Sequence, residues 1–247
     1  MNVLKFEYNI VVTKNLQQVD LLIAFINNCL RLYKVSLLFD LDQPVTDRRP
    51  GDDAGILAAM ALVHLTYWHS GHDNALLRAI LILELLLLHS KHNYDALLIL
   101  VRLYVVYGAG SLALERFHRL SIKNTQHASL SWLLYTRIST IHPYPSSFPT
   151  PDGQGVMTID PAENICFAHN WHQIVQDLSL KATRAMQNQG QWSMILDTLE
   201  TEDHIVKSFS KCHLFIEMKR VARFRANSHD TSDQTSRSLS LFIMSFC

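Results

Sequence analysis

The segment NALLRAILILELLLLH, Asn74 to His89, limits what this chain can fold into more than any other stretch. Leucine, isoleucine and alanine fill it, and Arg78 and Glu84 are its clear polar interruptions. Such residues favour helix, and a helix that is apolar almost all round has to be covered on several sides. The chain must therefore pack other helices around it or present it at an interface. An inner place in a stacked helical array is the expectation, because in such arrays each repeat buries its neighbour's face.

Helical periodicity surrounds that segment. Leu16, Val19, Ile23, Ile26, Leu30, Tyr33 and Leu37 recur at steps of three and four, which predicts an amphipathic helix capped by Asn15 with Gln18 three residues on. The following LDQPVTDRRPGDD predicts a loop. Asp52 or Asp53 then caps a helix to about Trp68, a Ser-Gly-His-Asp turn follows, and Asn74 caps the next helix. Asn93 opens a fourth, a fifth begins near Ser111, and a sixth spans about Ala128 to Ile141, ending before Pro143. Strand signals are nearly absent, since no alternating segment is bounded by hairpin residues.

The fold class expected is all-α, a fragment of a tetratricopeptide-like helical-repeat solenoid. Residues 1–142 form its helical-repeat region. Residues 143–161 hold five of the seven prolines and predict a linker or ordered loop. Residues 162–225 predict a C-terminal helical region, with helices over Asn164–Ala185 and Met194–Arg225, the second breaking near Thr201. Residues 226–247 turn from Ser/Thr/Asp-rich to a short apolar end and predict a disordered or aberrant tail.

Composition removes several function classes. Hydrophobic residues make up 48% of the 247 positions, enough for a buried core. Twenty-two basic residues balance 22 acidic ones, so no global field draws the chain to nucleic acid or an anionic membrane. The four cysteines form no Cys-x-x-Cys pair, which argues against a zinc site or disulfide framework and fits a reducing, cytoplasmic setting. The first residues show no secretory signal pattern. The apolar run Ala75–Leu88 is short of the roughly 20 residues a bilayer needs, so no membrane span is expected.

Gly108-Ala109-Gly110, between two apolar runs, could be a phosphate cradle or a turn between packed helices. A nucleotide loop needs Gly-Lys-Ser/Thr, which is missing, and an acetyl-CoA loop would follow a strand with Arg or Gln where Val105 stands. The turn fits better. Leu97, Leu100, Tyr104, Gly108, Ala113, Phe117 and Leu120 fall close to the tetratricopeptide pattern. Gly108 and Gly110 would permit the turn, Ala113 the close helix crossing, and Phe117 would fill the space beyond. Val101 and Thr125 stand where the pattern has Gly and Pro, so the repeat is degenerate. Ser111 could accept from the next turn's amides, and Glu115 would face the positive end of that helix.

No catalytic constellation emerges. The pairs His69/His72, His89/His92 and His169/His172 could each offer two metal ligands, but none has a visible third, and surface or capping roles are the ordinary alternative. Asp52/Asp53 and Glu202/Asp203 stand at expected helix starts, where a solvated, dipole-facing role is the default. No cofactor, no metal and no direct small-molecule substrate is expected. A binding surface is more promising. In IVKSFSKCHLFIEMKRVARFRA six cations face Glu217 alone, and as a helix Lys219, Arg220 and Arg223 would present a basic surface to RNA or an acidic protein.

Together DDAGILAAMALVHL, HNYDALLILVRLYVVYGAGSLALERFHRLSIKN and LLYTRISTIHP resemble the auxiliary, non-catalytic subunit of the N-terminal acetyltransferase B complex, NatB. The likeness is strongest over 52–143 and continues to FIEMKRVARF; the GAGSLAL turn and the RISTIHP exit occur in the right order. It implies a long tetratricopeptide-like solenoid that wraps the catalytic subunit of NatB and helps place it at the ribosome. That complex acetylates the starting Met of chains whose second residue is Asp, Glu, Asn or Gln. The chain is shorter than the family's usual members and reads as a fragment of the solenoid. The function expected is therefore a non-catalytic scaffold; an independent helical-repeat adaptor for other proteins or RNA is the alternative.

Overall fold

A computed structural model describes residues 2–14, 18–39, 44, 47–68, 74–123, 126–150 and 154–229. They are mostly helical and fall into two compact units, Met1–Tyr107 and Gly108–Cys247. The division lies at the Gly-Ala-Gly turn, whereas the sequence pattern placed its first boundary at 142. The predicted tetratricopeptide-like pair is thus shared between the units.

The first unit contains α1 (Asn2–Lys14), α2 (Val19–Phe39), α3 (Asp52–Trp68), α4 (Ala75–His89) and α5 (Tyr94–Tyr107). Each packs on the next in sequence, and α1 also reaches α3. Alanines explain how tightly α3 is held. Ala54, Ala58, Ala59 and Ala61 are almost fully buried, and their short side chains let neighbouring helices come close. Helix α1 was not foreseen, and the Asn15 cap lies outside the described residues. Helix α2, with 21 residues, is long and apolar enough to cross a membrane by length and composition, as a core helix can also be. It buries Leu22, Phe25, Ile26, Cys29 and Tyr33, while Arg31 and Lys34 stand exposed.

Buried polar groups fix the helix starts. Asp52, expected at a solvated end, is fully buried, and its Oδ2 accepts from the Arg49 amide at 3.1 Å and from Asn93 Nδ2 at 3.0 Å. Asn93 in turn accepts through Oδ1 from the Ala96 amide at 3.2 Å, capping α5. The cap of α5 is therefore bonded to a buried carboxylate at the start of α3. Asn74 makes no such side-chain bond at the start of α4. Glu84, the acid within the apolar helix, accepts from the Tyr104 hydroxyl at 2.6 Å, which gives its charge a partner on α5.

The second unit holds α6 (Gly110–Arg119), α7 (Gln126–Tyr135), α8 (Ile138–Ile141), the strands β1 (Ser146–Pro149) and β2 (Val156–Ile159), and the helices α9 (Pro161–Asn188), α10 (Trp192–Val206) and α11 (Phe209–His229). Nearest-neighbour order breaks here, because α11 returns to pack on α7, α8 and α9. The proline-rich segment, expected as a linker or ordered loop, contains an antiparallel strand pair, Ser146 opposite Ile159 and Pro149 opposite Val156. Pro149 stands at the end of the pairing and Pro143 and Pro145 before it, where a missing N–H costs little. Asp160 caps α9 by accepting from the Ala162 amide at 2.8 Å, with Pro161 at the first helical position.

The predicted sixth helix is interrupted between Tyr135 and Ile138. The buried Glu217 of α11 accepts from the Ser139 amide at 3.1 Å and so satisfies the start of α8 from outside. The C-terminal helical region breaks at Lys207–Ser208 rather than near Thr201, and α11 continues past 225 to His229. The rest of the predicted tail lies outside the described residues. Asn93→Ala should lower stability by about 1–3 kcal/mol, because it removes one cap and leaves the Asp52 carboxylate short of a donor. Urea unfolding checks this; an unchanged midpoint would show that this bonding contributes nothing.

Candidate interaction surface

Gly108 and Gly110 serve different purposes. Gly108 has φ +90, in the left-handed region, with open space where a side chain would stand, so its backbone conformation calls for glycine. At Gly110 the limit is contact: an added Cβ would lie 2.5 Å from His142 Cβ and 2.7 Å from Ile141 Cγ2. The first helical turn of α6 thus lies against the end of α8. Ala113 and Phe117 are buried, as the sequence pattern requires, and Phe117 meets the Tyr135 ring edge-on at 5.8 Å. Ser111 is not the cap, since Ala109 holds that position without a side-chain bond. Glu115 is engaged by Arg119 at 2.6 Å and Arg116 at 3.0 Å.

The basic helix is less available than its sequence suggests. Arg225 is buried and grips Asp160 at 2.5 and 3.0 Å. Arg220 donates to Glu217 at 2.8 Å from an exposed position. Lys219 is half-buried, with its ammonium 5.3 Å from the Phe215 ring centre. Arg223 is exposed. The three predicted contact residues therefore share one helix but not one role: Arg220 neutralises a buried acid, and Arg223 points to solvent.

No group of three potential metal ligands occurs among the described residues. His69 and His72 lie outside them. His172 is almost fully buried with neither ring nitrogen hydrogen-bonded. Burial, with His169 and Lys211 close by, pushes its pKa down to about 4.

Two open features escaped the sequence pattern. Leu77, Leu81, Leu85 and Leu88 of α4 form a stripe at steps of four, four and three, and Leu81 and Leu88 are 59% and 72% exposed. The expectation that α4 is covered on several sides holds only for the faces toward α3 and α5. The second is a groove of about 500 Å³ in the first unit, floored by Ile56, Leu57, Met60, Leu98 and Ile99. A chain of charges edges it: Lys5 pairs with Asp53 at 2.8 Å, and Arg48 bridges Asp53 and Asp95, the latter at 2.8 Å. Burial pushes the Asp53 carboxyl up, but the hydrogen bonds and charges of Lys5 and Arg48 outweigh it and hold the group below its usual value.

Two measurements follow from this geometry. Gly110→Ala should destabilise the chain by about 1–3 kcal/mol, since backbone and side chain would have to separate; a neutral change would place α8 elsewhere. Acidification should expose His172. The unfolded chain takes up its proton as pH falls through 6.5, the folded chain only near 4, so stability is lost as pH falls across that window. His172→Gln should flatten the melting-temperature profile between those values, and an unaltered profile would assign the loss to other groups.

A search of the curated proteins returns no match. The family model described as the N-acetyltransferase B complex (NatB) non catalytic subunit matches residues 1–243. With nearly the whole chain covered and its family non-catalytic, the chain is not itself the catalytic enzyme; it belongs to the family of NatB non-catalytic subunits.

Proposed function

We propose that the chain acts as a scaffold that holds the catalytic subunit of NatB and helps place it at the ribosome, in the cytoplasm. The observation that carries this is the bare leucine stripe of α4. A charged solvated face is the normal exterior of a helix, and four leucines in register are the pattern of a face that another protein covers. The helix-on-helix order of the first unit supports a tetratricopeptide-like array, in which a run of stacked helices offers one long surface. Acetyl-CoA and the bond-making groups would belong to the catalytic partner. This chain would contribute position, and through exposed cations such as Arg223 it would add a salt-sensitive attraction to the ribosome's phosphates.

Leu81→Glu with Leu88→Glu tests the stripe. Both positions are exposed, so the helices should survive, as circular dichroism would verify. Co-purification with the NatB catalytic subunit should fall about tenfold or more, given the ~1 kcal/mol or more that each central apolar contact contributes. Undiminished recovery of the partner would remove α4 from the interface. In the same preparation, ribosome co-sedimentation at low salt should be weaker for Arg223→Glu than for the parent chain. Equal retention at every salt concentration would make that arginine an ordinary solvated side chain.

A further inference from the structure

The second unit contains a smaller cleft, about 280 Å³, where α6, the segment after it, α7, β2 and α9 converge. Its walls are apolar and aromatic: Leu114, Phe117, Tyr135, Ile159 and Phe167. Phe167 is the telling residue. It is 50% exposed, yet its ring is held edge-on by His127 at 5.0 Å and by Trp171 at 6.0 Å. An aromatic ring standing in solvent while fixed by two neighbours is pre-organised for contact, because little side-chain freedom remains to be lost on binding. Phe117 and Tyr135 form a second edge-on pair in the opposite wall.

Lys123 is the cation at the rim of the cleft, with the imidazoles of His118 and His127 beside it, the latter held toward its neutral form by burial. Asn164 and Ser121 add neutral polar groups, and no carboxylate lines the cleft among the described residues. Glu115, the acid of α6, is turned to Arg116 and Arg119 instead. An apolar hole with a lysine at its rim and no described carboxylate to answer it calls for a ligand with an apolar body and a negative flank. Size narrows the choice further. The volume lies just below the ~300–1,000 Å³ of sites that enclose a small molecule, so it suits a single anchoring side chain whose backbone stays outside.

We propose that this cleft is a docking site for a short acidic peptide segment of a partner protein, which inserts one aromatic or leucine side chain between Phe117 and Phe167 and sets a carboxylate against Lys123. The site is separate from the α4 stripe and does not rest on it.

A fluorescein-labelled heptapeptide, Asp-Glu-Asp-Phe-Glu-Asp-Glu, titrated with the full chain and followed by anisotropy, tests this. Saturable binding is expected. It should weaken at least tenfold when the peptide's Phe is replaced by Ala, at least tenfold in Lys123→Glu, and severalfold in Phe167→Ala, with circular dichroism unchanged in both variants. Raising the salt should weaken the parent chain more than Lys123→Glu. Absence of saturable binding, binding indifferent to Lys123 and Phe167, or equal affinity for an all-glutamate peptide would overturn the proposal. Displacement of the peptide by adenosine monophosphate at a comparable concentration would overturn it in favour of a small-anion site.

Discussion

Arg225 sets the geometry of the second unit, because three chain segments meet at its guanidinium. Its Nε donates to the Pro143 carbonyl at 2.7 Å and its two terminal nitrogens to Asp160. Pro143 precedes the hairpin and Asp160 follows it, so one side chain closes the hairpin's base and ties it to α11. The planar fork of an arginine matches a carboxylate in two bonds, which a lysine cannot do. Buried as it is, the charge would be costly without those partners, so loss of either leaves more than a missing bond. Asp160 adds a second duty, since the same carboxylate caps α9.

The paired helices of the first unit were legible in the sequence because their signals are local. Asp52, Asn93 and the steps of three and four place α3, α4 and α5 close to where they stand. Helix α1 was missed because Phe6, Tyr8 and Ile10 alternate at the period of a strand and not at the three- and four-residue steps of a helix. The hairpin was hidden for another reason. Its four-residue strands carry serine, threonine and proline, and what holds them is Arg225, far away in sequence. The gap between α7 and α8 has the same origin, since the Ser139 amide bonds to Glu217 instead of continuing a helix.

The basic segment shows how composition alone misleads at a surface. Six cations against one acid read as a positive face, but Arg225 turns inward and Arg220 answers the buried Glu217. Counting charges cannot separate those that hold the fold from those that meet a partner. The leucines of α4 err in the opposite sense: composition marked them for the interior, and four remain outside. Such exposure is compatible with membership of a family of complex subunits, since a subunit need not complete its own core.

The bond between Asp52 and Asn93 bears on how the first unit opens. Stacked helices ordinarily fray from an end, each lost at its own small cost. Here the amides of Arg49 and Ala96 are held by two side chains that hold one another across the intervening α4. Breaking the bond between Asp52 and Asn93 therefore loosens the hold on both amides. The bond thus couples the start of α3 to the start of α5, 41 residues apart in sequence.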